Sequence, residues 1–491
     1  MRQYNCRTSE DPGYATRIPP VRRYAAAPRA AFFPLHLLLA TMVHRAQESP
    51  ARASSTSRRV MNVAVIGAGY AGMAAGVALS KAGIPVTVYE AGAAPGGRAR
   101  RVDIRGMPLD NGIHILIGAY RETLELMRMV GCDAREALLR VPLDWDIHGA
   151  FRFAAAPLPA PWHLAVGLMR VRGAPWRERW AAARFLHAMR KQNYCLQRDC
   201  TVLELLQQHG QGAAFMRHLW EPLCLTALNT PLAQASAQIF LHILRDGLDA
   251  GREASDMLLA RKDLSALFPE PAARFIARHG GSVRLRHPVK QVTAGPGRYR
   301  VHARDAAEDY TDVICATSPH HVAALTQGLA GLDAVIDTVQ ALRYEPIYTV
   351  YLQYDRSVRL PKAMLGLSDG SAQWVFDRGA IANQPGLLAA VISAGGSHAI
   401  LTLEEIALRI HGQLSRALGR LPPLAWWRVV AEKRATFACI ADVQRPPQRT
   451  PLPGFYLAGD YTASDYPGTI EAAVRSGLAC AQAVLASRGS V

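Results

Sequence analysis

Residues 63–90 read VAVIGAGYAGMAAGVALSKAGIPVTVYE, and the order of apolar runs, glycines and one closing acid in this stretch decides the fold. A short apolar run, Val63–Ile66, leads into Gly67, Gly69 and Gly72. A helix-forming stretch then reaches Ala82, a turn falls at Gly83, and a second β-rich run, Val86–Tyr89, ends at Glu90. This is a complete strand–helix–strand unit. The first glycine permits a tight turn, the second lets backbone approach a pyrophosphate, and the third lets the helix pack on the strand. The helix N-terminus offers N–H groups and the positive end of its dipole to phosphates. Glu90, 18 residues beyond Gly72, stands where an acid accepts hydrogen bonds from ribose hydroxyls. The glycines alone are a weak signal; with both strands and the acid they predict a dinucleotide site.

The chain has 491 residues, room for two or three domains at roughly 100–200 residues each. Half of them are hydrophobic and 19% charged, which excludes a disordered or collagen-like chain. Of the 56 basic residues only six are lysines, so the formal charge of +17 reads as arginine-rich composition. Residues 1–60 hold ten arginines and three acids (Glu10, Asp11 and Glu48). This leader is expected to be either an over-extended start, with the working protein beginning at Met61, or a basic targeting segment. Its apolar run, 32–43, is broken by Pro34 and His36 and is shorter than the ~20 residues of a membrane span. No transmembrane helix is expected after Met61. The eight cysteines are scattered without a CxxC pair, which argues against a metal site and a disulfide framework and for a reducing, cytoplasmic compartment.

Two further motifs specify the nucleotide. After Glu90 comes AGAAPGGRARRV (91–102), in which Gly96, Gly97 and Arg98 form a second glycine turn carrying a cation. Near the other end, FYLAGDYTASDYPGTIEAAVRSG (455–477) supplies a β-run, Gly459, Asp460 and a helix starting near Gly468. With these motifs the sequence resembles the FAD-binding flavoprotein superfamily that includes the amine oxidases and the phytoene-type desaturases. The resemblance implies FAD as cofactor, Arg98 on the pyrophosphate, and Gly459 and Asp460 at phosphate or ribitol. It also implies that the turn Gly468, Thr469, Ile470 points a helix N-terminus at the flavin ring. The implied architecture is α/β: a discontinuous Rossmann-like FAD-binding domain (61–115, 282–325 and 452–491) with an inserted α+β substrate domain (116–281 and 326–451). Within the middle return, Val289 takes the place where a backbone group meets the adenine.

Several stretches resemble one narrower family, the hydroxysqualene dehydroxylases: LDNGIHILIGAYRETLELMRMVG (109–131), LWEPLCLTALNTPLAQASAQIF (219–240), SDMLLARKDLSALFPEPA (255–272), QWVFDR (373–378) and EKRATFAC (432–439). That resemblance implies reduction of hydroxysqualene to squalene by reduced flavin, in a bacterial route to squalene and hopanoids, with an electron donor the sequence does not identify. Such chemistry needs an acid for the departing hydroxyl, a hydride donor and an apolar pocket. In the superfamily, residues 109–118 pass beside the isoalloxazine, which places Gly112 in the cofactor-binding set. His114 is the candidate proton donor there; the alternative is a histidine that only hydrogen-bonds backbone or a flavin carbonyl. Asp110 is a second catalytic candidate, with a structural or flavin-positioning role as its alternative, shared by Asn111. Arg261, Asp263, Glu221 and Asn229 read as capping or solvated residues before substrate ligands. Tyr461 and Tyr466 flank the flavin-facing turn, and Glu432, Lys433 and Arg434 read as a solvated charge run, with a positioning role near the last flavin segment as the alternative.

Residues 151–191 alternate Trp162, Trp176 and Trp180 with eight basic residues and a single acid, Glu178. The segment is read either as a helical cap on the substrate domain or as a peripheral membrane contact. Nucleic-acid binding is not expected, because the aromatics sit in apolar stretches. A carotenoid desaturase running hydride in the opposite direction is the rival reading. A flavin amine oxidase is less favoured, since 344–354 carries no lysine and 464–474 no cysteine for covalent flavin attachment.

Overall fold

All four residues of the strand Val63–Ile66 are buried, without alternation, as befits the middle of a parallel sheet covered on both faces. The computed structural model describes residues 61–304 and 306–487, so the expectations for residues 1–60 fall outside the described residues. Five parallel strands form the sheet, in the spatial order Ser282–Arg284, Val86–Tyr89, Val63–Ile66, Asp312–Cys315 and Phe455–Leu457. Counted along the chain, this is third, second, first, fourth, fifth. The order reverses between Val63–Ile66 and Asp312–Cys315, and ligands bind beyond the carboxyl ends of the strands at such a switch point. Three separated stretches of chain thus build one Rossmann-like sheet, the α/β class read from the sequence.

The helix Tyr70–Lys81 leaves Gly69 and is buried over nearly its whole surface. It lies against the helices Pro269–Arg278 and Ile470–Ala486, whose apolar faces complete the core on that side. An antiparallel trio, Val289–Gly295, Arg298–Ala303 and Ala306–Tyr310, adjoins the sheet.

A second sheet of seven strands is built around Tyr344–Gln353, which pairs antiparallel with Trp426–Phe437 on one side and Leu387–Ser393 on the other. Its period-two alternation sorts side chains between two environments. Tyr348, Val350 and Leu352 pack under the helix Leu403–Leu418, while Ile347 and Thr349 face the central cavity. The strands Asp144–Ile147 and Phe151–Ala154 close the far edge. The helices Trp162–Met169 and Trp176–Lys191 cap this end, and Ala237–Leu244 adds a further wall. Among the described residues no helix is long and apolar enough to cross a membrane.

Candidate active site

One cavity of about 1220 Å³ runs from the switch point of the parallel sheet to the inner face of the second sheet. Single small-molecule sites occupy roughly 300–1,000 Å³. This one has room for a dinucleotide and a second ligand end to end.

At the first end the glycines of the two turns close on the cavity, Gly72 excepted. Gly67 has φ +109°, and a Cβ there would lie 2.6 Å from the Ala316 carbonyl oxygen, so only glycine can turn from the strand Val63–Ile66 toward the helix past the end of its neighbour. Gly72 lies beneath the cavity, where a Cβ would come within 2.0 Å of the Gly67 carbonyl oxygen; its role is helix packing. Gly67, Gly69 and Gly97 line the cavity, and Gly69 and Gly96 bridge the two glycine turns. Glu90 accepts hydrogen bonds from Ala68 N (2.8 Å) and Gly92 N (2.7 Å). Each oxygen therefore holds one backbone donor and keeps a lone pair for a hydroxyl. Val289 lines the same end. This cradle fits the adenosine diphosphate portion of a dinucleotide: two glycine turns, a helix N-terminus without side-chain cap and a fixed carboxylate.

The middle of the cavity is bounded by Gly112, Gly459, Asp460, Gly468, Thr469 and Ile470. Arg98 bonds the buried Asp460 and donates to the Ala435 carbonyl at 2.6 Å, tying the second glycine turn to the C-terminal motif. Arg445 spreads its guanidinium over four carbonyls: Asp460 (2.6 Å), Tyr461 (3.3 Å), Ser464 (2.9 Å) and Tyr466 (2.7 Å). It thereby fixes the loop that leads into Thr469, whose side chain caps the last helix. In that helix, fully buried Glu471 accepts from Thr123 N (3.0 Å), Thr123 Oγ1 (2.7 Å) and Arg475 Nε (2.8 Å). Nothing in the local sequence marks Arg445, whose partners lie up to 21 residues away.

Beyond this zone the walls become apolar: Leu164, Leu168 and Leu186 from the cap, with Trp145, Trp374 and Phe376 from the second sheet. The two indoles meet edge to face at 4.5 Å. Their N–H groups are both satisfied by protein acceptors, the His218 carbonyl (2.9 Å) and Thr226 Oγ1 (2.7 Å), the latter on a residue that also lines the cavity. Two π-helical turns, Met216–Trp220 and Arg245–Asp249, interrupt the surrounding helices, and both line the chamber through Leu219, Trp220 and Asp246. Such bulges re-aim side chains and often mark functional sites. The second one brings Asp246 to Tyr466, whose hydroxyl donates to it, while Arg245 donates from the other side at 2.6 Å. Burial pushes the Asp246 carboxyl upward, but the bonds from Arg245 and Tyr466 outweigh it and hold the group below its ordinary range. An ionised carboxylate therefore lines the cavity beside largely apolar walls. Sequence reasoning named Tyr466 and missed Asp246.

His114 sits at the junction. It lines the main cavity and a small adjoining one shared with Asp110 and Arg378. Its Nδ1 meets the Gly112 carbonyl at 2.9 Å, so the N–H of the neutral ring lies there and Nε2 is the nitrogen left to exchange a proton. Burial depresses the imidazole below its ordinary value; the Gly112 carbonyl opposes this and Arg98 adds to it. Asp110 lies one layer behind, accepting from Leu264 N at 2.8 Å. Burial pushes its carboxyl up to about 6, against the Leu264 N–H and Arg378. Asp110 does not line the main cavity; Asn111 does, and its amide reaches Glu432 at 3.4 Å.

The secondary candidates divide. Asp263 caps a short helix at Ala266 N (3.0 Å) and pairs with Arg101 (3.2 Å), a structural role. Buried Asn229 lines the cavity and ties a helix end to the second sheet through Thr436 Oγ1 (3.0 Å) and Ala394 N (2.7 Å). Tyr461 is buried away from the cavity, whereas Tyr466 lines it. Glu432 and Arg434 border the cavity too, so the charge run is not simply solvated.

A dinucleotide cradle opening into an apolar chamber defines a cofactor-dependent oxidoreductase acting on a hydrophobic ligand. The sequence model of the flavin containing amine oxidoreductases matches residues 70–485. The hydroxysqualene dehydroxylase of Rhodopseudomonas palustris is 31% identical over 87% of this chain and 98% of its own, and that of Sinorhizobium fredii 29% identical over 85% and 96%. A zeta-carotene desaturase of Synechocystis is 25% identical over 87% of this chain and 98% of its own. Among solved structures, the cyclohexylamine oxidase of Brevibacterium oxydans shares the fold, with a TM-score of 0.65, 17% identity and coverage of 87% and 99%. The chain belongs to the flavin containing amine oxidoreductases, FAD-dependent enzymes, and within them to the hydroxysqualene dehydroxylases.

Proposed function

We propose that the protein reduces hydroxysqualene to squalene, releasing water. The observation that carries this reading is the single cavity in which a dinucleotide cradle continues into a chamber walled by leucine and aromatic side chains, with His114 at the junction. In the reading, Gly67, Gly69, Gly97 and Arg98 hold the pyrophosphate of FAD, Glu90 the ribose and Val289 the adenine edge. Asp460 and the turn Gly468, Thr469, Ile470 face the ribitol and ring. Reduced FAD, when bound, supplies the hydride that replaces the hydroxyl.

The chain's own residues do the rest. Trp145, Trp374 and the cap leucines exclude water, so the allylic centre meets no competing nucleophile. His114 Nε2 carries the proton to the departing oxygen, which leaves as water; hydride and proton together balance the loss of the hydroxyl. The Asp246 carboxylate, fixed by Arg245 and Tyr466, faces the positive charge that grows as the oxygen departs. Two partners follow. One is an electron donor, because the sequence carries one dinucleotide fingerprint; the other is a lipid phase, met through residues 151–191.

Isotope labelling tests the hydride route. Enzyme reduced in deuterium oxide and given hydroxysqualene should yield squalene carrying one deuterium at the former carbinol carbon. Unlabelled squalene, or none, would exclude hydride delivery from the flavin.

A further inference from the structure

The most exposed tryptophans among the described residues are all on the two cap helices. Trp162, Trp176 and Trp180 are 64%, 60% and 54% exposed, and the last two stack at 6.4 Å. Leu158, just before the first cap helix, is exposed as well. A soluble surface seldom leaves three indoles outside without a use for them. The charges around them carry one sign: Arg170, Arg172, Arg177, Arg184 and Lys191 are exposed on the same two helices and the turn between them. The segment's one acid, Glu178, is turned inward, where it accepts from Ala214 N (2.9 Å) and Phe215 N (3.1 Å). Arg179 is also withdrawn, bridging the helices through the carbonyls of Met169 (3.0 Å) and Ala174 (2.9 Å). The charged groups on the outer face are thus cations, set among indoles, the composition that seats in a layer of anionic headgroups.

The inner face of the same helices points the other way. Leu164 and Leu168 of Trp162–Met169, and Leu186 of Trp176–Lys191, line the apolar chamber. One helical pair thus carries both the chamber-lining leucines and the exposed indoles.

We propose that the cap Trp162–Lys191 docks on an anionic bilayer and is the gate through which the hydrocarbon substrate passes from lipid into the chamber. The gate rests on the polyprenyl reading given above; the docking does not. The match between a wholly cationic, indole-bearing face and anionic phospholipid selects this occupant over a second copy of the chain, whose identical face would repel it.

The test uses the FAD-loaded full chain with phosphatidylcholine vesicles, with and without phosphatidylglycerol. A triple variant, Trp162→Ser with Trp176→Ser and Trp180→Ser, and a second, Arg170→Glu with Arg177→Glu and Arg184→Glu, are compared with the wild type by co-sedimentation. Wild type should bind the phosphatidylglycerol vesicles, and each variant should bind them about ten-fold or more weakly, with unchanged flavin absorbance. Turnover of vesicle-embedded hydroxysqualene should fall in parallel, while turnover of detergent-dispersed substrate stays level. Wild type that ignores vesicles, binds both kinds equally, or loses only a self-association in the tryptophan variant would overturn the docking. Expected vesicle binding with no turnover in detergent would reject the substrate reading, and with it the gate, while leaving the docking intact.

Discussion

Replacing Asp110 by asparagine should remove part of the protein's pH dependence of stability, by an amount the structure sets. The carboxyl is buried behind His114 and stands at about 6, against an ordinary 3.8. The rise from 3.8 to about 6, at ~1.4 kcal/mol for each tenfold gain in proton affinity, corresponds to ~3 kcal/mol. The folded state holds this proton more tightly than the unfolded chain does. Below pH 4 both states are protonated and the group is neutral to stability; between about 4 and 6 the wild type loses stability, and above 6 the full cost of an ionised buried carboxylate is present. The amide in the Asp110→Asn variant does not titrate, yet keeps an oxygen for Leu264 N. Urea unfolding of wild type and Asp110→Asn, in the same flavin state at pH 4, 5, 6 and 7, should give stability curves that separate by ~3 kcal/mol in the variant's favour across the range. Comparing the two proteins cancels every group they share. Parallel curves, or a wild type that gains on the variant as pH rises, would refute the reasoning.

Three other substitutions probe the cavity. His114→Ala should retain FAD and lose on the order of 10²–10⁴ in turnover by steady-state assay; because burial lowers the wild-type imidazole, kcat/KM should fall with rising pH through a point below 6.5. Arg445→Lys exchanges a four-carbonyl clamp for a point charge, and fluorescence titration should show FAD affinity reduced by about ten-fold or more, as the loss of even one hydrogen bond to a charged group implies. Leu168→Glu puts a carboxylate into the apolar chamber; flavin content should hold while hydroxysqualene turnover collapses, and a variant as active as the wild type would mean that substrate does not reach the cap.

The parallel sheet and its cradle were legible because their signals are local. Gly67 is required by a turn four residues after the strand begins, and Glu90 by the end of the next strand. The motif at 455–477 likewise names Asp460 and the helix start that the structure places at Thr469 and Ile470. Contacts over long sequence distances were not legible. Asp246 acquires its place through a π-helical turn and a tyrosine 220 residues away, and no window of sequence holds both. Arg445 resembles any loop arginine until its four carbonyls converge. The segment 151–191 offered a cap or a lipid-facing helix as alternatives; its inner leucines make it a cap, and its outer indoles leave the second role open to the vesicle test.

The central claim is that electrons pass from flavin to hydroxysqualene, and an anaerobic single turnover tests it most directly. Enzyme whose flavin has been reduced with dithionite is mixed with hydroxysqualene, and flavin reoxidation and product mass are followed together. One squalene formed per flavin reoxidised is the predicted result. A reduced flavin that persists with no squalene formed, while oxidised enzyme bleaches on adding a carotenoid precursor, would contradict it and make the protein a desaturase.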